Sequence, residues 1–270
     1  NHFAMASLVI IGILVVIAIG TAIAPGILPY DPYAQNLSQS FQAPSAAHWF
    51  GTDQQGRDIF SRILIGSQIS LSVGLLAVAI SLTIGVTLGA VAGYKGGVVD
   101  TIIMRIMDMM LAIPSILLAI AFMAALGKGI DKAVVAIGLV SIPEYARIVR
   151  SQILSVKQND YVAAARVIGD TDAAIIFRHV LPNVMPSIIV RATLGISSAI
   201  LDCAALGFLG LGVQPPAAEW GDMLGRGRNY IFSAPYTMVF PGLAITITVL
   251  AFNLLGDGIR DAFDPKSRKR

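Results

Sequence analysis

Polar residues along this chain collect between long apolar stretches rather than within them. Six such stretches lie at 6–24, 70–93, 101–126, 133–153, 187–211 and 236–256. Each is near or above the roughly 20 residues with which a helix crosses about 30 Å of hydrocarbon. The pattern predicts an all-α polytopic membrane protein with six transmembrane helices. The fourth stretch is the least regular. Pro143-Glu144 interrupts it, and Arg147 and Arg150 stand near its end, as suits a kinked helix that reaches out of the membrane. The organisation that follows is a first span and outer segment over 1–69, a membrane core over 70–256, and a cytoplasmic tail over 257–270.

The connecting segments differ in character. Residues 157–183 read as a basic, amphipathic helix–turn–helix carrying Lys157, Arg166, Arg178 and His179. Asp160 is placed to cap a helix over 161–168, and Gly169 to end it in the left-handed region. Asp170 or Thr171 can cap a second helix, which Pro182 closes. Such a hairpin suits docking onto another protein, and the plainer reading is an ordinary loop. The outer segment 25–69 opens with PGILPYDPY, which discourages helix. Thr52 or Asp53 could then start an interfacial helix with Ile59, Phe60, Ile63 and Leu64 on one side. Arg57, Asp58 and Arg62 would face water or headgroups. In 214–236, Pro215-Pro216 and several glycines predict an ordered but irregular loop, with Trp220, Tyr230 and Tyr236 suited to the membrane interface. Gly256-Asp257-Gly258 is read as the end of the last span.

Within the spans, Ser81, Gly85, Gly89 and Gly93 recur every fourth residue. That spacing lines small side chains along one helix face, a seam for close packing against a helix of this chain or of another subunit. Arg105 and Asp108 stand three apart and are expected to pair; Pro114 is expected to kink the third span. Asp202 is the sharpest isolated charge. An ionised Asp at a helix centre costs about 2.5–3.5 kcal/mol on insertion scales. It should therefore face protein or water, either as a structural hydrogen-bonding group or as a contact on a substrate path. Cys203, the single cysteine, reads as a small buried side chain and excludes an internal disulfide.

Composition agrees with the pattern: 56% hydrophobic residues, 13% charged and a mean hydropathy of +0.76 exclude a soluble globular domain. The formal charge of +3 gives no reason to expect nucleic acid. Placing both termini inside puts Lys95, Arg147, Arg150, Lys157, Arg166, Arg178, Arg260, Lys266, Arg268, Lys269 and Arg270 in the cytoplasm. Arg57, Arg62, Lys128, Lys132, Arg226 and Arg228 remain outside, which is the favoured bias. The chain begins Asn1-His2 without Met, leaving room for a native segment before it. Residues 8–24 have the look of a signal-peptide core, but no cleavage pattern follows. There is no G-x-x-x-x-G-K-[ST] phosphate cradle, no HExxH and no GxSxG. No cofactor is expected in this chain, and no catalysis. A secondary carrier, or a membrane enzyme of lipid metabolism, would call for several ionisable groups inside the spans.

Ala163-Ala164-Ala165, Gly169 and Val180-Leu181-Pro182 resemble the EAA loop of ABC-importer permeases, with Ala163 where that family usually has Glu. His48, Gly51-Thr52-Asp53, Gly56-Arg57-Asp58 and Ser61-Arg62 resemble a block of the dipeptide/oligopeptide/nickel importer permeases. So do the stretches 207–212, 214–216, 219–221 and 253–265. The likeness is greatest to the second (C-type) permease subunit of the dipeptide type. It implies a type I ABC-importer permease architecture whose coupling helix meets an ATPase through Asp160, Tyr161, Ala163, Ala164, Ala165, Arg166, Gly169, Asp170, Leu181 and Pro182. It further implies a homologous second permease, an extracytoplasmic binding protein, and two ATPase subunits that bind ATP and Mg on the cytoplasmic side. The implied setting is the lipid of the bacterial inner membrane, with both termini cytoplasmic. The implied cargo is dipeptides first, then oligopeptides, then nickel.

Overall fold

A computed structural model of the protein describes residues 2–263. The expected basic tail at 266–270 lies outside the described residues. Four helices are long and apolar enough to cross a membrane: α1 (His2–Ile23), α2 (Ile59–Lys95), α7 (Asp172–Phe208) and α9 (Tyr236–Phe263). A bent pair, α3 (Gly97–Leu111) and α4 (Ser115–Leu126), whose axes meet at 94°, makes a fifth when the two are counted as one span. The fourth predicted span is the 27-residue α5 (Ile130–Val156), which is continuous through Pro143. The hairpin helix α6 (Asp160–Ile168) and the short α8 (Trp220–Gly227) complete the helices named here.

Pro114 does more than kink the third span. It takes an extended conformation (φ −52°, ψ 132°) and supplies no N–H, so the chain stops one helix and starts another. The last span errs the other way. Gly256 and Gly258 lie inside an unbroken α9. A Cβ on Gly256 would come 2.6 Å from Leu194 Cδ2, and one on Gly258 2.4 Å from the Ala4 Cβ. These glycines admit neighbouring helices; they do not end the span.

The core is the crossing of α2 and α5. Ser81 donates from Oγ to the Gly138 carbonyl at 2.9 Å. One turn on, a Cβ on Gly85 would meet the Tyr145 Cβ at 2.7 Å; on Gly89, the Ala146 carbonyl at 2.4 Å; on Gly93, the Arg150 carbonyl at 3.0 Å. The four small residues therefore face a helix of the same chain. Around the crossing, Val73, Ala77, Ala133, Ala136, Ile137 and Tyr145 are buried together. Helix α1 docks on the far side of α2 through Gln68, whose Nε2 donates to Thr21 Oγ1 at 2.7 Å.

Two helices overshoot the bilayer. At 37 residues each, α2 and α7 rise about 55 Å, well past a hydrocarbon core of about 30 Å. The excess of α2 lies at its N-terminal end, and that of α7 at its N-terminal end on the opposite side. One builds an outer cap; the other builds the hairpin.

Filling the seam tests its tightness. Gly89→Leu is expected to destabilise the subunit by about 1–3 kcal/mol or more through overpacking. Gly12→Leu, where nothing lies within 4 Å of a new Cβ, should leave Tm unchanged. Thermal unfolding of the two purified variants in nanodiscs compares them directly.

Candidate functional site

The hairpin follows from local chemistry with two changes from expectation. Asn159, not Asp160, is the N-cap residue, and it caps by backbone conformation without a side-chain hydrogen bond. Asp160 occupies the first helical position, where a carboxylate suits the positive end of the helix dipole. Gly169 ends α6 in the left-handed region (φ 97°, ψ 17°). The Asp170 amide then donates back to the Ala165 carbonyl at 3.1 Å, as in a Schellman stop. Of the two candidate caps for the next helix, Thr171 serves: its Oγ1 accepts from the Ala174 amide at 3.3 Å.

Pro182 does not close that second helix. Residues Ile175–Val180 form a π-helical turn, and the chain continues through Leu181 and Pro182 into the membrane as one helix, α7. A proline disturbs only the turn before it, and the wide turn absorbs the disturbance. Asn183 Nδ2 satisfies the His179 carbonyl at 2.7 Å.

Val162 and Ala165 are buried with Ala90, Val149, Ile153, Ile175 and Val180, fastening the hairpin to the ends of α2 and α5. A polar clamp adds to this. Arg166 Nη2 donates to Tyr94 Oη at 3.1 Å, and Tyr94 Oη donates to Asp172 Oδ1 at 2.9 Å. Lys157 Nζ donates to the Gly93 carbonyl at 2.8 Å, and Asp170 pairs with His179 at 3.1 Å. Tyr94 lies far from the hairpin in sequence, and no local signal marked it. The outward side is apolar: Val167 is 88% exposed, Ile168 83% and Phe177 69%, with Tyr161, Ala163 and Ala164 also exposed and Leu181 half-buried.

At the opposite end, the residues expected to face water are buried. Asp58 caps α2, accepting from the Ser61 amide at 2.7 Å, and its other oxygen meets His48 Nδ1 at 2.9 Å. Arg57 grips Asp53 through Nε and Nη2, both at 2.7 Å. Arg62 Nη1 donates to the Pro32 carbonyl at 2.8 Å. Ionic groups can leave water only when paired in this way, and the pairing replaces the interfacial helix with a continuous α2. Nor is Trp220 at the interface. It is buried against Gly66, with Nε1 donating to the Ile63 carbonyl at 3.0 Å. Its helix α8, within the loop read as irregular, is capped by Glu219, which accepts from the Gly221 and Asp222 amides, each at 2.8 Å.

Between the ends lies a cavity of about 400 Å³ at the α3/α4 break, lined by Pro114, Ser115, Ser141, Glu144, Ser198 and Asp202 among others. Asp202 is half-buried there. A more open space of about 740 Å³ adjoins it, sharing Leu111 and Glu144 and adding Arg147, Ser151 and Arg191. Glu144 forms an ion pair with Arg191, whose guanidinium lies 5.4 Å from the centre of the Tyr145 ring. Asp108 pairs with Arg147 at 2.6 Å, across helices, rather than with Arg105. Cys203 is buried, as expected. No local signal marks Glu144 and Arg191, because their pairing depends on the α5–α7 crossing.

Comparison with known proteins sets this geometry in context. A family model described as binding-protein-dependent transport system inner membrane component matches residues 85–269, and one described as the N-terminal transmembrane domain of oligopeptide transport permease C matches residues 1–44. The dipeptide transport system permease protein DppC of Alkalihalophilus pseudofirmus is 51% identical over 99% of this chain and 87% of its own length. The probable D,D-dipeptide transport system permease protein DdpC of Escherichia coli K12 is 49% identical over 94% and 86%. The glutathione transport system permease protein GsiD of E. coli O157:H7 is 50% identical over 98% and 87%. Among solved structures, an inward-facing MetNI methionine ABC transporter aligns with a TM-score of 0.62 at 21% identity, over 74% of this chain and 95% of that one. An amino acid ABC transporter aligns at 0.59 and 14%, over 76% and 95%.

Burial pushes the Glu219 carboxyl up to about 7, against the two amide bonds, which lower it; the nearby Asp222 raises it further. A carboxyl raised in the folded state stabilises most fully below its unfolded value near 4.5 and loses that contribution as pH rises through 7. Thermal unfolding of the wild type measured against Glu219→Gln should show the difference shrinking by about 3 kcal/mol from pH 4.5 to 7.5. A gap that stays flat across this range would show the carboxyl to be ordinary.

Proposed function

The chain belongs to the family of inner-membrane components of binding-protein-dependent transport systems, and we propose from that premise that its cargo is short peptides bearing a free amine and a free carboxylate. It is a multi-pass permease subunit of an ABC importer, a family whose permeases work with ATPase and further permease partners. Three of its near-full-length relatives are named for dipeptide, D,D-dipeptide and glutathione transport; these cargoes share the two charged ends. In this reading a homologous second permease completes the pathway. An extracytoplasmic binding protein delivers the peptide to the cap end, and two ATPase subunits bind ATP and Mg at the hairpin end. The hairpin and both termini then face the cytoplasm.

The observation that carries the mechanism is the single helix α7, unbroken from Asp172 beside the hairpin turn to Asp202 beside the cavity. The exposed face of Val167, Ile168 and Phe177 is the surface an ATPase would cover, since apolar groups so exposed on a cytosolic segment favour burial against a partner. Closure of the ATPases moves α6 as a rigid lever; Gly169 sets its angle, and α7 passes the displacement to the cavity. The two permeases then alternate between inward-open and outward-open states.

Gly169 offers the cleanest test, because nothing lies within 4 Å of a Cβ placed there and any effect is conformational. Gly169→Val puts a β-branched residue at φ 97°, which is strongly disfavoured. Uptake of L-alanyl-L-alanine by the reconstituted importer should drop at least tenfold while ATP hydrolysis persists. Gly169→Asn, which tolerates the left-handed region, should retain most of the transport. Equal behaviour of the two variants would remove Gly169 from the coupling mechanism.

A further inference from the structure

We propose that the paired cavities between the α3/α4 break, α5 and α7 form a binding site for a short peptide in transit, read by its charged ends: the ammonium by Asp202 and Glu144, the carboxylate by Arg191. This rests on the short-peptide reading and extends it by assigning recognition to groups inside the membrane, beyond whatever selection occurs before the cargo arrives.

Charge is sorted along the two spaces. The cavity of about 400 Å³ holds Asp202 and Glu144, the adjoining one of about 740 Å³ holds Arg147 and Arg191, and Glu144 borders both. Their volumes fall in the range of about 300–1,000 Å³ usual for small-molecule sites. Among the described residues Asp202 has neither a hydrogen bond nor an ion pair. A carboxylate at membrane depth without a partner is costly, and an arriving cation relieves that cost. Ser141 and Ser198 donate to carbonyls of their own helices, at 3.0 Å and 3.4 Å, so their oxygens remain free to accept from an ammonium.

The Glu144–Arg191 pair is the second element. A zwitterion inserted across it leaves every group partnered. Arg191 exchanges the Glu144 carboxylate for that of the peptide, and Glu144 joins Asp202 around the ammonium. Because a zwitterion carries no net charge, entry changes no charge balance, and no counter-ion need accompany it. The Tyr145 ring, 5.4 Å from the guanidinium, keeps Arg191 in place during the exchange.

Length sets the cargo. Asp202 and Arg191 stand 11 positions apart on one helix, about 16 Å along its axis, and Glu144 on α5 borders the space around each. Extended peptides of two and three residues span about 7 and 11 Å; a single amino acid is too short to bridge. The broken helix points the same way. Backbone groups freed at membrane depth are tolerated where they line a cavity, and the Pro114 break borders this one.

The test uses the complete importer, with its second permease and ATPases, in two steps. In proteoliposomes with the binding protein and ATP, the wild type should import L-alanyl-L-alanine. Asp202→Asn and Arg191→Gln should each lower maximal uptake about tenfold or more. Separately, in the complex without binding protein, Ser198→Cys reports on the cavity itself. Its labelling by a methanethiosulfonate reagent should be slowed by millimolar L-alanyl-L-alanine but not by the N-acetyl dipeptide or the dipeptide amide. The native Cys203 is buried and serves as the unlabelled background. Protection by all three compounds alike, or by none, overturns the proposal even where the charge variants fail to fold. Full uptake by both folded variants overturns it too. In each of these cases the peptide reading stands provided wild-type uptake is present; loss of wild-type dipeptide uptake itself would instead remove the peptide reading.

Discussion

The crossing of α2 and α5 sets the position of everything else. Along Gly85, Gly89 and Gly93 the two backbones approach so closely that a single methyl group would crowd the opposing helix. Hydrocarbon tails are as apolar as leucine, so association in lipid depends on fit rather than on hydrophobic burial. Glycine gains that fit by bringing main chains into contact. Once α2 and α5 are locked, the upper end of α2 has only one place to carry the cap. The lower ends of both helices likewise form the floor on which the hairpin rests, through Ala90, Val149 and Ile153.

Charge is handled differently at the three levels of the molecule. In the cap, Asp53, Arg57, Asp58 and Arg62 are taken out of solvent, Asp53 matched to Arg57, Asp58 to His48 and Arg62 to a carbonyl, which rigidifies a region almost without regular structure. At the hairpin, charged groups such as Arg166 and Asp172 remain near water and act through the Tyr94 hydroxyl as a clamp. At membrane depth Asp202 stands, among the described residues, without a pairing partner in the cavity that contains it. A packed cap and a clamped hairpin flank a region that is polar and open.

Much of this was legible in the sequence. The apolar runs located the membrane helices, the four-residue spacing located the seam, and the Ala-rich helix with its following glycine located the hairpin. The misreadings share a cause. Read locally, Pro182 and the Gly256–Gly258 pair are punctuation, whereas the π-helical turn absorbs the first and neighbouring helices explain the second. The local pattern puts Arg57 and Arg62 in solvent, where an unpaired arginine belongs. Their burial depends on Asp53 and on the Pro32 carbonyl being folded over them, and periodicity carries no information about that. Spacing pairs Arg105 with Asp108, while the fold offers Asp108 a guanidinium on α5 instead. In each case a short-range rule lost to a contact made between distant segments.

The wide turn at Ile175–Val180 also carries a consequence for how such chains can vary. An α-helix advances about 100° per residue, so residue number fixes the azimuth at which the lower part of α7 meets the upper part. The π-helical turn accommodates one more residue per turn than an α-helix does, and thereby sets the phase between hairpin and cavity. Removing a single residue there would leave both parts intact and still helical, yet turned about a quarter of a revolution out of register. The length of this turn is thus as tightly constrained as any side chain beside it.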